Sequence, residues 1–345
     1  MKILNAIHAQ GVGGVDQMFR NYAKALINLG HDVSLLISNN SNNNYKINNV
    51  KKIFKLKNFS QISDFLHLLL ILVIYRPNLV ICHSNRIMKW MRILKYFTAA
   101  KVVAVNHGIS FKNSLHCNYI ININQDICNM VVATGFNRAN SFVLPNVIEV
   151  DQKYFQKQLK EPLIIGMYGR IEHRKGFDIL FLAAEILQKN NINFRLKIGG
   201  FEVDEGNYNW KYLANFAKEK NLDDKYDFVG VVIDKKAFFA GVDIFCVPSR
   251  EEPFGLVILE GFLHSTLVIS SNSEGGKILI KHGEDGFLFK NEDAQDLAQK
   301  IIAVKNNQEK YCHFTKNAYS KLEEQFALKA LERNFEKILQ NIFKK

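Results

Sequence analysis

The feature that most constrains the fold is an alternation between short apolar runs and amphipathic segments, which occurs in both halves of the chain. In the first half, apolar runs at 2–8 and 32–38 flank a segment of helical spacing at 15–29. In the second half, a run at 163–168 precedes a helical segment at 177–189. Strands that alternate with helices form parallel sheets with helices on both faces. The sequence therefore predicts an α/β protein with two doubly wound, Rossmann-like lobes.

The alternation pauses between Pro145 and Pro162, where charges of both signs occur. We predict a linker there, between an N-terminal domain over residues 1–150 and a C-terminal domain over 160–325. Two such lobes are expected to leave an interdomain cleft at the carboxyl ends of their sheets, which is where ligands bind in doubly wound folds.

Charge is distributed unevenly along the chain, whose formal net charge is +12. Residues 1–150 hold 16 Lys and Arg against 5 Asp and Glu, a net of 16 − 5 = +11, and the remaining residues hold 29 against 28, a net of +1. The basic half indicates either an anionic partner or a solvated basic surface. Residues 86–97, where basic residues recur among apolar ones, predict a helix that lies on an anionic membrane or one whose lysines reach water from a half-buried position. Nucleic acid is not expected as a partner, because no motif supports it.

Several classes of protein are excluded by simple features of the sequence. The five cysteines are scattered and form no CxxC pair, so neither a disulfide framework nor a zinc site is expected, and a reducing, cytoplasmic location fits better. The N-terminus lacks the features of a signal peptide. The longest apolar stretch, 65–75, is shorter than the roughly 20 residues that span a bilayer. We interpret it as a buried helix that could also contact a membrane interface.

The segment 250–260 predicts a strand-turn-helix unit that binds an anion. Pro253-Phe254-Gly255 permits a sharp turn between an apolar strand and an apolar helix. Backbone N–H groups at the helix start would stabilise a diphosphate without a metal ion. Glu260, on the helix, could accept hydrogen bonds from a ribose, and Glu252, on the loop, could reach the hydroxyls of a transferred sugar.

Two cations, Arg170 and Lys175, follow the first predicted strand of the second lobe. Together they could offset the charge that builds on a departing nucleoside diphosphate, although ordinary surface residues would also fit the pattern. No Asp-x-Asp or ligand cluster occurs, so we expect neither a metal ion nor another cofactor.

Glycines after the first strand form the run Gly11-Val12-Gly13-Gly14-Val15-Asp16. Glycine allows a backbone to approach a phosphate or sugar closely. A dinucleotide-binding interpretation fails, because Asp16 replaces the third glycine and no acidic residue ends the next strand.

Two histidines, His83 and His107, end predicted strands of the first lobe and are expected to project toward the cleft. A structural role for His83 is the main alternative to contact with an acceptor. Asp16 is a further candidate for acceptor contact.

These motifs together resemble retaining glycosyltransferases of family 4, which have the GT-B fold. Segment 250–260 resembles the E-x7-E motif of that family, and other landmarks follow in the expected order: Leu144-Pro145-Asn146-Val147, 169–176, Lys197-Ile198-Gly199-Gly200, Gly275-Gly276 and 283–288. The resemblance covers residues 3–300 and is more specific in the second lobe.

The resemblance implies transfer of a hexose-type sugar, with retention, from a nucleoside-diphosphate sugar to a hydroxyl of an envelope glycan or lipid-linked acceptor at the cytoplasmic membrane face. Lipopolysaccharide core, O-antigen and capsule are the acceptors it suggests. His107 would lie near the reacting sugar and the acceptor, and a C-terminal helix at about 326–345 would pack on the first lobe. The implied donor-binding set is Gly13, Gly14, Gly169, Arg170, Lys175, Gly199, Gly200, Phe254, Gly255, Leu256 and Glu260.

The chain departs from the family pattern at two points. No Pro-Glu pair follows Gly275-Gly276, and no glycine follows Asn146. Two other functions stay open: a nucleotide-sugar 2-epimerase on the same fold, and a non-catalytic protein that binds sugar nucleotides.

Overall fold

The computed structural model describes residues 1–8, 13–39, 47–57, 61–203 and 206–344. The chain divides into two compact units: Met1–Glu149 with Phe326–Lys345 form unit 1, and Val150–Gln325 form unit 2. Gly11 and Val12 of the predicted glycine turn lie outside the described residues.

The described residues of unit 1 form a seven-stranded sheet of order β3-β2-β1-β4-β5-β6-β7, in which every strand pair is parallel. Its strands and helices are β1 Lys2–Ala6, α1 Gly14–Asn28, β2 Asp32–Ser38, β3 Lys52–Leu56, α2 Ile62–Tyr75, β4 Leu79–Cys82, α3 Asn85–Leu94, β5 Lys101–Asn106, β6 Tyr119–Asn122, α4 Gln125–Ala133 and β7 Ser141–Val143.

The alternation of side chains along each strand builds two hydrophobic cores, one on each face of this sheet. Ile3 packs in the core that α1 covers, and its neighbour Leu4 packs in the core that α2 and α3 cover. Successive strand residues point to opposite faces, so a strand buried on both faces is apolar throughout. This is why the strands of unit 1 read as continuous apolar runs.

The described residues of unit 2 form a six-stranded parallel sheet of order β10-β9-β8-β11-β12-β13. The elements are β8 Leu163–Ile171, α5 Phe177–Lys189, β9 Phe194–Glu202, α6 Trp210–Glu219, β10 Tyr226–Phe228, α7 Lys235–Ala240, β11 Ile244–Val247, α8 Leu256–Leu263, β12 Leu267–Ser271, α9 Glu274–Leu279, β13 Phe287–Phe289, α10 Ala294–Asn306 and α11 Tyr311–Gln325; α12 Leu328–Phe343 then belongs to unit 1. The predicted fold class, two doubly wound Rossmann-like lobes, is confirmed.

Helix α12 completes the unit 1 core that α1 covers. Leu331 and Phe335 are buried there, and the Phe335 ring meets Tyr22 edge-on at 4.7 Å between centroids. The backbone just before α12 is joined to the first segment of unit 1 by a hydrogen bond of 3.0 Å from the Ile148 N–H to the Phe326 carbonyl.

Two strands of unit 2 are longer than predicted. The apolar run predicted at 163–168 continues as β8 to Ile171, and the apolar run that the sequence places at 194–198 continues as β9 to Glu202. The extension is paired, because Gly169 lies opposite Gly200 and Arg170 opposite Phe201. The expectation that Arg170 follows the strand is therefore wrong: Arg170 lies within it. The sequence Gly169-Arg170 does not indicate a strand, because glycine has a low strand propensity. The pairing of β8 with β9 overrides that local preference.

Other predictions about local structure were incomplete. Among the described residues, the sequence pattern did not indicate the short elements α4, α7, α9 and β13. The interpretation of 65–75 as a buried helix is wrong in part, because Leu68, Ile71 and Leu72 are buried whereas other apolar residues of α2 face solvent. Within the described parts of the chain, no helix has the length and hydropathy needed to cross a bilayer.

The packing of α12 gives a test of its contribution to unit 1. Phe335 is 1% exposed, so Phe335→Ala removes a ring from a closed core and should cost about 3–5 kcal/mol of unfolding free energy. Phe343→Ala, on the same helix but 40% exposed, should cost less than about 1 kcal/mol. Urea unfolding followed by circular dichroism measures both losses of free energy. Equal losses would show that the packing of α12 does not depend on the buried Phe335 ring.

Candidate active site

The predicted site residues of unit 2 lie around the point where the strand order reverses, between β8 and β11. Arg170 lies at the end of β8, Lys175 follows that strand, and Glu252 follows β11. In doubly wound sheets the two connections that leave such a point run to opposite faces, which opens a crevice at the carboxyl ends of the strands. The topology therefore brings two segments together that are some 75 residues apart in sequence.

The loop after β11 is held to the connection after β8 by Arg250. Its guanidinium donates two hydrogen bonds to the Asp178 carboxylate, at 3.0 and 2.7 Å, and one of 2.8 Å to the His173 carbonyl. Burial alone would raise the pKa of Asp178, but hydrogen bonds from Arg250 and Tyr208 outweigh it and hold that pKa below its usual range. The bidentate geometry fixes orientation as well as distance.

The double glycine supports the same loop from its other side. The Gly275 N–H donates to the Glu252 carbonyl at 2.6 Å, and a Cβ at Gly275 would lie 2.3 Å from the Phe254 carbonyl oxygen. No other residue type fits such a contact. Gly255 then takes a left-handed conformation, with φ of 92°, and the chain enters α8 at Leu256. Phe254 is buried beneath the turn.

Glu252 and Lys175 are in direct contact. The Lys175 Nζ donates to Glu252 Oε2 at 2.6 Å, and the two side chains are 15% and 10% exposed. Both were predicted to act in catalysis, one on the sugar and one on the phosphates. The attraction between the two groups offsets part of the cost of removing both side chains from water.

Arg170 belongs to a second charged group beside this pair. Its Nη2 lies 3.1 Å from Glu172 Oε1, and the Arg174 Nη2 contacts the same oxygen at 2.6 Å. The Glu172 side chain is buried, whereas that of Arg170 is 46% exposed. One acid shared between two cations leaves net positive charge near the end of β8.

Glu260 is buried on α8, and both of its carboxylate oxygens already have partners. Tyr168 donates to Oε2, and the Lys235 ammonium contacts Oε1. Burial, followed by the charge of Glu260, raises the pKa of Tyr168 well above its usual range, so this phenol stays protonated and donates. Neither partner was predicted. Lys235 lies 25 residues away in sequence on α7, a helix that the sequence pattern did not indicate.

The remaining donor-side glycines lie where strands pack tightly. Gly199 and Gly200 are opposite Tyr168 and Gly169 in the β8–β9 ladder. A Cβ on Gly199 would lie 2.3 Å from the Val232 side chain, and one on Gly200 would lie 2.9 Å from that of Ile171. Close packing alone accounts for both glycines, and their predicted donor contact stays a prediction.

In unit 1, the two predicted histidines form a pair. His83 follows β4 and His107 follows β5, and His83 Nδ1 lies 3.0 Å from His107 Nε2. The His83 ring is buried against Tyr22, edge to face at 4.8 Å, and its Nε2 has no hydrogen-bond partner among the described residues. Burial, followed by the charge of His107, holds the pKa of His83 well below its ordinary value, and burial lowers the pKa of His107 to about 4.

The other candidates of unit 1 lie on α1. Gly13 precedes this helix in an extended conformation and Gly14 is its first residue. The Asp16 carboxylate is buried and pairs with Arg20 at 2.9 Å. Its predicted contact with an acceptor stays a prediction.

The histidine pair predicts a loss of stability in acid. Both rings are held neutral in the folded protein, whereas the unfolded chain binds protons near pH 6.5, so their contribution is complete above that pH and is lost as pH falls toward about 4. The loss should be about 2 kcal/mol per histidine at about pH 5, because that pH lies roughly 1.5 units below the pKa of the unfolded chain. His83→Asn/His107→Asn should flatten the dependence of unfolding free energy on pH, and an unchanged dependence would show that these rings are not the groups that titrate. His107→Asn alone serves if the double variant folds poorly.

Comparison with known proteins assigns the second half of the chain to a family. Residues 150–321 match the model described as glycosyl transferases group 1. An uncharacterized glycosyltransferase of Haemophilus influenzae is 28% identical over 176 residues, 51% of this chain and 48% of that protein. The lipopolysaccharide core biosynthesis glycosyltransferase LpsE of Rhizobium meliloti is 29% identical over 185 residues, 54% of this chain and 52% of LpsE. The chain thus spans about half the length of these curated relatives.

Solved structures extend the likeness over the whole chain. The Anabaena protein Alr3699/HepE, crystallised with UDP and glucose, matches with a TM-score of 0.82 and 18% identity over 99% of each chain. Identity this low establishes the fold alone. Residues 150–321 therefore match the group 1 family of glycosyl transferases, in a chain that has the GT-B fold.

Proposed function

We propose that the protein is a retaining glycosyltransferase that moves a hexose-type sugar from a nucleoside-diphosphate sugar to a hydroxyl of an envelope glycan or lipid-linked acceptor. The observation that carries this proposal is the contact between Lys175 and Glu252 at the strand-order reversal of unit 2. A cation for phosphate and an acid for sugar hydroxyls stand side by side there, as a sugar diphosphate requires.

The donor would bind with its diphosphate near Lys175, Arg170 and the first N–H groups of α8. Such groups hold positive charge in place before the reaction, so they stabilise the nucleoside diphosphate as it leaves without reorganising. This chemistry needs no metal ion, and we propose that transfer proceeds without one. Glu260 would accept hydrogen bonds from the ribose hydroxyls. Because Tyr168 and Lys235 already contact its two carboxylate oxygens, the half-exposed Lys235 is the partner that has to move away.

In the proposed reaction, the bond between the anomeric carbon and the diphosphate oxygen breaks, and its electron pair leaves with the nucleoside diphosphate. The acceptor hydroxyl forms its bond to the same face of the sugar through an oxocarbenium-like state. Its proton passes to the leaving diphosphate. Glu252 would position the sugar hydroxyls, with His107 on the acceptor side, and no carboxylate is assigned as a covalent nucleophile.

The acceptor would be a glycan or glycolipid of the bacterial envelope, bound by unit 1 through His107, His83 and Asp16. The name of LpsE supports a lipopolysaccharide core acceptor, and the UDP and glucose bound by the Anabaena protein support a hexose nucleotide as donor. The net charge of +11 over residues 1–150 suits a phosphorylated or membrane-borne acceptor, with the protein placed at the cytoplasmic face of the membrane.

The contact between Lys175 and Glu252 predicts a specific pattern of losses. Glu252→Gln and Lys175→Ala should each lower kcat by at least about 100-fold, and the double variant should be scarcely worse than the poorer single variant, because groups that act as a unit are not additive. Steady-state release of nucleoside diphosphate measures all three.

The matched control for this experiment is Asp227→Asn. It breaks the ion pair of Asp227 with Arg195, which has the same length of 2.6 Å but is exposed. Turnover and melting temperature should stay near wild type. Normal turnover in the Glu252 and Lys175 variants would refute the site. An equal loss of turnover in Asp227→Asn would show that the loss follows from breaking any ion pair.

The donor assignment is tested by a thermal-shift panel of UDP-, GDP- and ADP-sugars. One of them should stabilise the protein by about 2.7 kcal/mol at 100 times its Kd. The shift should persist in EDTA and shrink in Glu260→Gln. Isomerisation of the donor without any acceptor would instead indicate the epimerase, and a shift without turnover on any glycan would indicate a binding protein.

A further inference from the structure

Helix α2 exposes a continuous line of apolar side chains on the surface of unit 1. This α2 stripe consists of Ile62, Leu66, Leu70, Val73 and Ile74, which are 80%, 52%, 56%, 45% and 77% exposed. The spacing of three and four residues places them on one face, while Leu68, Ile71 and Leu72 hold the opposite face in the core. An exposed apolar line of this length is uncommon on a soluble surface, so this face is expected to meet something other than water.

Neighbouring segments extend the apolar surface beyond α2. The Phe65 ring contacts Trp90 of α3 edge-on at 5.8 Å, and α2 also contacts the 3-10 turn Lys95–Phe97 that follows α3. There Tyr96 and Phe97 are 78% and 60% exposed. Aromatic side chains of this kind favour the boundary between water and lipid.

The stretch of sequence that contains the α2 stripe and α3 is rich in cations. Residues 51–101 contain ten Lys and Arg but a single acidic residue, Asp64. The Asp64 side chain is buried and accepts a hydrogen bond of 3.0 Å from the Lys57 N–H. Lys89 and Arg92, on the outer side of α3, are exposed. An exposed apolar line, in a stretch of sequence that carries exposed cations and no exposed acid, is complementary to a surface whose interior is apolar and whose outer layer is anionic.

We propose that the α2 stripe, together with Tyr96 and Phe97, is the face through which the protein docks on an anionic lipid bilayer. Helix α2 has 14 residues, fewer than the roughly 20 that span a bilayer, so it would lie in the plane of the interface. A second copy of the chain is the poorer partner, because the cations of the two copies would face each other. This surface defines the membrane contact of the proposed function, but its binding requires neither donor nor acceptor.

Co-sedimentation of the full chain with lipid vesicles tests the proposal. Wild-type protein should bind vesicles with about one third phosphatidylglycerol at least tenfold more tightly than pure phosphatidylcholine vesicles, and binding should weaken with salt. Leu70→Glu/Ile74→Glu should lower binding to anionic vesicles by at least about tenfold. Lys89→Gln/Arg92→Gln, which leaves every apolar side chain in place, should lower it by a smaller factor and reduce the dependence on salt.

The matched control is Val231→Glu/Ile233→Glu, which adds the same charges to unit 2 at positions that are 58% and 88% exposed. It should bind vesicles like wild type. Unaltered binding by the α2 variant, or equal losses in both variants, would overturn the proposal. The proposal would also be overturned if light scattering showed a dimer for wild type and a monomer for the α2 variant, and if that monomer bound vesicles as wild type does. Circular dichroism confirms that each variant is folded, and normal sugar transfer in solution by the α2 variant would separate this result from any failure of the proposed function.

Discussion

The candidate site of unit 2 depends on one ion pair, between Arg250 and Asp178. Its two hydrogen bonds join the loop after β11 to the first turn of α5, and Arg250 Nε reaches Glu292 at 2.8 Å as well. Burial of such a pair costs desolvation, which its good geometry offsets, but removing Arg250 would leave the Asp178 carboxylate without a cation and cost about 3–5 kcal/mol. Because Glu252 lies two residues from Arg250, the same ion pair helps to hold the backbone from which Glu252 contacts Lys175.

The sequence predicted the fold class well and the partners of individual side chains poorly. Alternating apolar and helical segments depend on local spacing, which is legible in a single chain, and they sufficed for two doubly wound units. The contact of Lys175 with Glu252 was not predicted, although both residues were chosen, because it arises only when β8 and β11 pair side by side. Tyr168 and Lys235 were missed for the same reason: nothing in their own neighbourhoods indicates Glu260.

Helix α2 shows a different limit of sequence reasoning. An apolar run signals burial only on average, and which face of a helix is buried depends on what packs there. In unit 1 the sheet and α3 cover about half of α2 and leave Ile62 and Ile74 outside. Strands β8 and β9 show the converse case, in which residues that look like a loop pair in a ladder because each neighbour supplies the partner of the other.

The return of α12 to unit 1 has a consequence for the order in which the protein can form. Leu331, Phe335 and Leu339 belong to the same core as Ile3 and Tyr22. Residues near the start of the chain therefore wait, during synthesis, for partners made more than 300 positions later. Unit 2, whose residues are contiguous, can fold as soon as it leaves the ribosome, whereas the nascent unit 1 exposes part of its apolar core until α12 has been made. During that interval unit 1 is the incompletely folded unit, and its exposed apolar surface is of the kind that chaperones bind.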